Sequence, residues 1–428
     1  MQKTRYESIG EELYTETLPN GLTIQVLPKP GFNKSYAVFA TNYGGADRRF
    51  RIGGKWIDTP AGVAHFLEHK MFDTPDGGNA LAVLSANGAN PNAFTSSGMT
   101  AYYFESTQGF EENLRTLLSF VSVPYFTEES VRKEQGIIGQ EIRMIEDNPG
   151  FVVYNNAMRC LFRHNPVRDS VAGSIESIAE ITADTLYDCH KIFYNPSNMT
   201  LAVVGDVDPE AVSRIAREVL PAEPGEMPER DYGEAEDELP AENFISVEME
   251  VSAPQFIIAS RFEPAPRGEA RQRQRLIAEL ALRCLMGKTS AFYTELYAEG
   301  LLKQDFSAET DYSAGTASIL AGGESAEPEQ VLERLKQAAD KLLHGGMAGG
   351  DFLRMRKSFY GAALRSLDSF EDVCVSLADC RFAGCILPEQ YALIETITAD
   401  EVRAFIAEAL APEKLALSVV CPRNARQG

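Results

Sequence analysis

Short runs of β-branched and aromatic residues, bounded by glycine, proline or asparagine, predict strands at residues 22–28, 36–43 and 93–105, and again at 244–251, 256–262 and 317–321. Apolar residues recurring every three or four positions predict amphipathic helices near 110–122, 127–146, 268–286 and 327–343. Strands fall in runs and helices in runs, which indicates an α+β fold rather than a doubly wound sheet. No stretch approaches the roughly 18 consecutive apolar residues of a membrane span. The first residues, Met1 to Glu7, lack the apolar core of a signal peptide.

The pattern repeats. Ile181-Thr182-Ala183-Asp184 recurs as Ile397-Thr398-Ala399-Asp400, an offset of 216 residues. The same offset carries Pro196 onto Pro412, and Met199-Thr200-Leu201-Ala202-Val203-Val204 onto Leu415-Ala416-Leu417-Ser418-Val419-Val420. A capped helix, a proline-marked turn and a β-branched strand therefore occur twice in one order, which makes the chain a duplication. Between the copies, residues 221–242 hold four prolines, nine acidic residues and a single arginine. Such a stretch cannot bury a core and is expected to run over the surface or be mobile. The domains are placed at 1–222 and 243–428, joined by an acidic linker over 223–242.

Composition narrows the function. With 428 residues, 44% hydrophobic and 24% charged, the chain has the make-up of a globular protein. Forty basic against 62 acidic side chains leave a net charge of -22, which argues against nucleic acid and against an anionic membrane surface. Seven cysteines at irregular spacing, with no CxxC pair, suit reduced thiols and a cytoplasmic setting.

Five histidines occur, and two stand four apart in His65-Phe66-Leu67-Glu68-His69. On a helix, positions i, i+3 and i+4 share a face, so both imidazoles and the Glu68 carboxylate converge on one point. Two neutral nitrogens at about 2.0 to 2.1 Å, with a carboxylate nearby to handle a proton, are what Zn2+ takes from a helix. A catalytic zinc needs a third protein ligand and an open position. Glu134 and Glu141, seven apart, share a face of the 127–146 helix beside Gly136 and Gly139, which would allow close helix approach. Ile137, Ile138, Ile142 and Ile145 mark the apolar side of that helix. Taken alone, the two glutamates read equally as a solvated acidic stripe.

H-x-x-E-H is the inverted zincin motif. Three further features accompany it: Glu134 and Glu141 on a helix ending Ile145-Glu146-Asp147-Asn148-Pro149; Asn92-Ala93-Phe94-Thr95 with Thr100-Ala101-Tyr102-Tyr103; and Tyr194-Asn195-Pro196-Ser197-Asn198-Met199 leading to Val203-Val204-Gly205-Asp206. With these the chain resembles the insulinase/pitrilysin zinc metallopeptidases over about residues 17–420. Within that family it is similar to the bacterial relatives of the mitochondrial processing peptidase. The resemblance implies two homologous α/β-sandwich domains, each a mixed, mostly antiparallel sheet covered by helices, together forming half of a clam-shell. It implies an endopeptidase acting on peptides or short unfolded segments, with one Zn2+ per chain held by His65, His69 and Glu141. Glu68 would be the general base, and Glu134 a carboxylate supporting the ligands. Asn92, Ala93 and Phe94 would form the edge strand on which a peptide lies, backbone against backbone. Zinc would lower the pKa of water from about 15.7 to about 7 and polarise the scissile carbonyl.

One departure from the family pattern stands out. The second domain normally supplies an arginine and, seven residues later, a tyrosine that bind the substrate carbonyl; the corresponding positions here hold Tyr297 and Gln304. Losing an oxyanion donor typically costs about 10²- to 10³-fold in turnover. The chain is therefore expected to be the zinc-bearing half of a heterodimer, with a paralogous subunit supplying the Arg/Tyr pair. A non-catalytic, peptide- or partner-binding subunit of the same fold and a purely structural zinc are the competing readings. Glu68 favours the enzyme, because a structural site needs no base and is usually closed by four protein ligands. The acidity of the chain points to cationic peptides as substrates. Gly287-Lys288-Thr289-Ser290 resembles the end of a phosphate loop, but Leu282 stands where its first glycine belongs and a helical run precedes it, which excludes nucleotide binding there. His164, His190 and His344 have no ligand partner at useful spacing, and Cys374, Cys380 and Cys385 read as buried free thiols.

Overall fold

Residues Met199–Gly205 are buried along their whole length, as expected of an apolar strand with no solvent face. They form the centre of the first of three sheets in the computed structural model, which describes residues 1–75, 77–346 and 349–423. In chain order the strands up to the linker are β1 (Gln2–Tyr6), β2 (Glu11–Thr17), β3 (Thr23–Pro28), β4 (Ser35–Thr41), β5 (Arg49–Ile52), β6 (Lys55–Asp58), β7 (Ala89–Thr95), β8 (Thr100–Ser106), β9 (Met199–Gly205) and β10 (Glu229–Asp231). Those after it are β11 (Phe244–Met249), β12 (Gln255–Phe262), β13 (Ser307–Asp311), β14 (Ala317–Glu324) and β15 (Ala416–Pro422).

The large sheet runs β1-β2-β3-β9-β4-β8-β7, and the sheet of the second half runs β11-β15-β12-β14-β13. Each is mixed and mostly antiparallel, with one parallel pair: β3 with β9, and β11 with β15. Shifting β9 onto β15 carries the order β3-β9-β4-β8-β7 onto the second sheet strand for strand, parallel pair included. The repeated helix starts match as well. Thr182 caps Ala183–Phe193 by accepting from Thr185 N–H, and Thr398 caps Ala399–Ala409 by accepting from Glu401 N–H. The duplication read from an offset of 216 residues is thus a duplication of sheet topology.

The run 93–105, expected as one strand, is a hairpin. Ser96 N–H donates to Met99 O (2.8 Å), and Thr95 faces Thr100 across β7 and β8. Ser96-Ser97-Gly98 supplies turn residues inside a run whose flanks both favour strand. The turn lies backbone to backbone on residues 44–46, where Gly45 N–H donates to Ser96 O (2.9 Å). A Cβ on Gly44 would stand 2.5 Å from three backbone atoms of that turn, so only glycine fits.

Contacts group the chain into two compact units: Met1–Ile142 with Ser170–Tyr232 and Leu364–Glu389, and Arg143–Asp169 with Gly233–Ala363 and Gln390–Gly428. In the first, helix Phe370–Ala383 packs Phe370, Val373, Cys374 and Leu377 against Val38, Ala40, Ala202 and Val204 of β4 and β9. Gln25 Nε2, buried in β3, donates to Leu377 O (3.1 Å). In the second, helix Pro149–Leu161 lies on β12 and β15. Each sheet is therefore covered by a helix from the other half of the sequence. The repeat divides the chain into contiguous halves, whereas packing trades one helix each way.

Residues 221–242 run over the surface, as their composition implies, but are pinned at intervals. β10 pairs with β5, which pairs with β6, in a three-stranded sheet. Arg230 Nε and Tyr232 OH both donate to the buried Asp47 carboxylate at 2.9 Å. Glu236 accepts from the backbone N–H groups of Arg163, His164 and Asn165 at 2.7 to 2.8 Å.

His190, without ligand partners in the sequence, serves the core. Its Nε2–H donates to Val121 O (2.9 Å), and burial pushes its pKa down to about 4. An unfolded histidine titrates near about 6.5. The folded value is the lower, so the stability from keeping this ring neutral is present above pH 6.5 and is lost as pH falls toward 4. His190→Gln, which keeps a donor for Val121 O, is expected to flatten the pH dependence of unfolding in that window by up to about 1.4 kcal/mol per pH unit. Urea melts of both proteins at pH 7, 5.5 and 4.5 measure this.

Candidate metal centre

The motif helix Val63–Lys70 begins at Gly62, whose φ of 95° favours glycine. A Cβ there would stand 2.7 Å from the Ala172 carbonyl oxygen, so the turn and the close approach both demand this residue. Val63, Phe66, Leu67 and Lys70 are buried and root the helix in the core, which turns His65, Glu68 and His69 to the other side.

Helix Glu128–Glu146 brings the third donor. Its buried face is Val131, Ile138, Gly139 and Ile142, and Glu134 and Glu141 lie on the shoulder of that face. His65 Nε2 stands 3.5 Å from Glu141 Oε1, and His69 Nε2 stands 3.6 Å from Glu141 Oε2. The imidazole centroids are 4.6 Å apart. One donor atom from each of His65, His69 and Glu141 lies within 4.8 Å of the other two. Tetrahedral ligation at about 2.0 to 2.1 Å separates ligand atoms by about 3.3 Å, close to the two histidine–Glu141 separations, so the donor types and their convergence fit zinc.

The far ring nitrogens agree. His69 Nδ1–H donates to Glu134 Oε1 (3.0 Å), the outer hydrogen bond that fixes the tautomer and orientation of a ligating histidine. His65 Nδ1 is buried with no partner among the described residues. Burial opposes a charged His69, yet the hydrogen bond to Glu134 and the charges of Glu134, Glu141 and Glu68 outweigh it and raise its pKa. The His65 hydrogen bond, against burial and with the charge of both imidazoles, holds the Glu141 carboxyl below its usual range. The two shifts are the two sides of one pairing: the carboxylates favour positive charge on the imidazole, and the imidazoles favour negative charge on the carboxylate.

Glu68 stands beside the donor set without belonging to it, and its Oε2 accepts from Thr95 Oγ1–H (2.6 Å). Thr95 ends β7, the last strand of the large sheet among the described residues. Strand alternation splits this segment. Ala93 and Thr95 share the face of Thr100 and Tyr102, whereas Asn92 and Phe94 share the face of Tyr103, where Phe94 packs toward helix Phe370–Ala383. Asn92 Oδ1 there accepts from Ala93 N–H (2.9 Å). Thr95 closes the run Asn92-Ala93-Phe94-Thr95, and the period of two sets it on the face opposite Asn92 and Phe94.

Other expectations meet corrections. A Cβ on Gly136 would meet nothing within 4 Å and one on Gly139 would meet only Ile178 Cδ1 at 4.0 Å, so these glycines do not mark a close helix contact. Ile137 is 47% exposed, and the apolar side of the helix is carried by Ile138 and Ile142 with Val131. In the second unit, Tyr297 lies on helix Ala291–Ala298 with its ring stacked on Tyr293 (5.6 Å), and Gln304 sits in the following turn. Lys288 of the phosphate-loop look-alike donates to Gln304 O and Phe306 O (2.7 Å each), while Ser290 caps helix Ala291–Ala298. All seven cysteines are free thiols. Among the described residues no helix is long and apolar enough to cross a membrane.

A duplicated α+β scaffold carrying an inverted His-x-x-Glu-His helix, with a glutamate closing a three-donor set, defines a class of metallopeptidases. Residues 54–174 match the model for insulinase, peptidase family M16, and residues 180–359 match that for the peptidase M16 inactive domain. The chain belongs to the insulinase family. It is 39% identical over 427 residues to the uncharacterized zinc protease YmfH of Bacillus subtilis, covering 98% of this chain and 99% of that protein. Its structure is similar to that of an M16-like peptidase from Alicyclobacillus acidocaldarius, with a TM-score of 0.91, 33% identity, and coverage of 96% and 99% of the two chains. A mitochondrial-processing peptidase subunit beta of Arabidopsis thaliana is 28% identical over 171 residues, 37% of this chain and 32% of that one.

Removing a donor and removing its support should differ in degree. His65→Ala, His69→Ala and Glu141→Ala are expected to abolish stoichiometric zinc binding. Glu134→Ala is expected to keep the site and weaken zinc by about 10- to 100-fold. Chelator competition reads both, and equal affinity for Glu134→Ala and the wild type would remove Glu134 from the metal's surroundings.

Proposed function

We propose that this protein is a zinc endopeptidase of peptides and short unfolded segments, with one Zn2+ held by His65, His69 and Glu141. The observation that carries the reading is the converging His-His-Glu donor set, its donor atoms within 4.8 Å of one another, with the Glu68 carboxylate next to it and outside it. A structural site would be closed by a fourth protein ligand and would have no use for Glu68. Zinc, when bound, supplies Lewis-acid polarisation of the scissile carbonyl and makes water more acidic. Glu68 takes the proton of the attacking water and returns it to the leaving amine, a role typically contributing about 10²- to 10⁴-fold. Glu134 holds His69 in the tautomer that leaves Nε2 for the metal. The edge strand β7, which among the described residues pairs only with β8, offers the outward-facing backbone of the Asn92-Ala93-Phe94 run to an extended substrate, which selects unfolded segments over folded ones.

Neither Tyr297 nor Gln304 is a cation, which supports a division of labour in which a paralogous subunit supplies the Arg/Tyr pair. The seven free thiols suit the cytoplasm, and the charge of -22 suits cationic peptides. The decisive variant is Glu68→Gln, assayed with the paralogue present on internally quenched decapeptides. It is expected to retain one zinc per chain and to lose at least about 10²-fold in turnover; unchanged hydrolysis with zinc retained would end the peptidase reading. Turnover by the wild-type chain alone should be about 10²- to 10³-fold below that of the reconstituted pair.

A further inference from the structure

We infer that Thr95 is a positioning residue for the general base: its hydroxyl holds one oxygen of Glu68 so that the other stays aimed at the attacking water. The inference rests on the peptidase reading above and names a residue that reading does not need.

The geometry is specific. The Oγ1–H of Thr95 meets Glu68 Oε2 at 2.6 Å, a short hydroxyl-to-carboxylate bond of the charge-assisted kind. Its direction follows from the neighbouring hydroxyl. Thr100 Oγ1–H donates to Tyr43 O (2.9 Å) and its oxygen lies 3.4 Å from Thr95 Oγ1. Thr100 thereby commits its proton to a fixed backbone carbonyl, leaving the Thr95 proton with Glu68 as its acceptor. Behind them, Tyr102 and Tyr194 are buried and bond hydroxyl to hydroxyl (2.8 Å), so fixed dipoles back the two threonine hydroxyls.

Thr95 is itself held. It faces Thr100 in the hairpin register, and the following turn docks on residues 44–46, where Gly44 admits no side chain. Branching at Cβ also leaves threonine few χ1 states. A glutamate reaching from a helix has three side-chain torsions to fix. A bond to one carboxylate oxygen removes most of that freedom, and near-attack geometry is sensitive to displacements of about 1 Å. Thr95 also ends the strand proposed to receive the peptide, so a single strand sets both the substrate backbone and the base.

The test compares Thr95→Val, Thr95→Ala and Thr95→Ser with Glu68→Gln, all zinc-loaded and with the paralogue present, on internally quenched decapeptides. Thr95→Val and Thr95→Ala are expected to keep zinc and melting temperature, lower kcat by about 10- to 100-fold and leave KM within about twofold. Thr95→Ser, which keeps the hydroxyl, should restore kcat to within about threefold. Binding of acetohydroxamic acid, which needs an oriented carboxylate beside the metal, should weaken about tenfold in the Val and Ala variants and recover in Ser. Wild-type kcat in Thr95→Val and Thr95→Ala, with Glu68→Gln inactive, would overturn this inference and leave the peptidase reading intact. Full activity of Glu68→Gln would overturn both. Loss of zinc or of several degrees of melting temperature in both Val and Ala would make the hydroxyl a structural tie and overturn the inference as well.

Discussion

The site depends on a clasp between two helices. His65 and His69 come from a short helix rooted in the core, and Glu141, 72 residues beyond His69, comes from a second helix. Neither helix alone offers more than two donors. What brings the third within 3.5 to 3.6 Å is that the second helix buries Ile138 and Ile142 while holding Glu134 against the back of His69. Glu134 and Glu141 are seven residues apart, two helical turns, so one reaches the outer nitrogen of a ring and the other its inner nitrogen. Hydrophobic packing sets the helix in place, and one hydrogen bond sets the ring.

Much of this was legible because it obeys local periods. Spacings of three and four put His65, Glu68 and His69 on one face, and the helix 127–146 follows from its apolar stripe. Between Glu134 and Glu141 the sequence could not choose, since both share a face and only the placement of the neighbouring helix separates ligand from support. Ile137 departs from the expected apolar side because a run of apolar residues does not say which of them faces the core. The hairpin at 93–105 was missed for a related reason: Ser96-Ser97-Gly98 is a weak turn signal between two strong strand signals, and the backbone of Gly44 and Gly45 that receives the turn lies some fifty residues earlier. Thr95 was hidden by convention rather than physics, since its neighbours carry the resemblance and alternate residues face opposite ways.

The duplication was legible as an offset, yet its two copies are unequal. Strand for strand the second sheet repeats the first, but His344, the one histidine of the second copy, is exposed and bonded to Asp340 on its own helix. The repeat supplied a stable sheet twice and the chemistry once. Fold therefore says little about which half works; the donor set does.

The exchange of covering helices bears on how the chain is made. The central strand β9 is complete by residue 205, but the helix that seals one face of its sheet spans Phe370–Ala383, and its first residue follows 165 positions later. At ribosomal rates of roughly 5 to 20 residues per second, Val38, Ala202 and Val204 wait on the order of ten seconds or longer for Phe370 and Leu377 to arrive. Through that interval the nascent first half offers an apolar sheet face to whatever else is present, so holdase chaperones have a window at every round of synthesis. A chain truncated before Phe370 would keep His65, His69 and Glu141 and still leave that face uncovered.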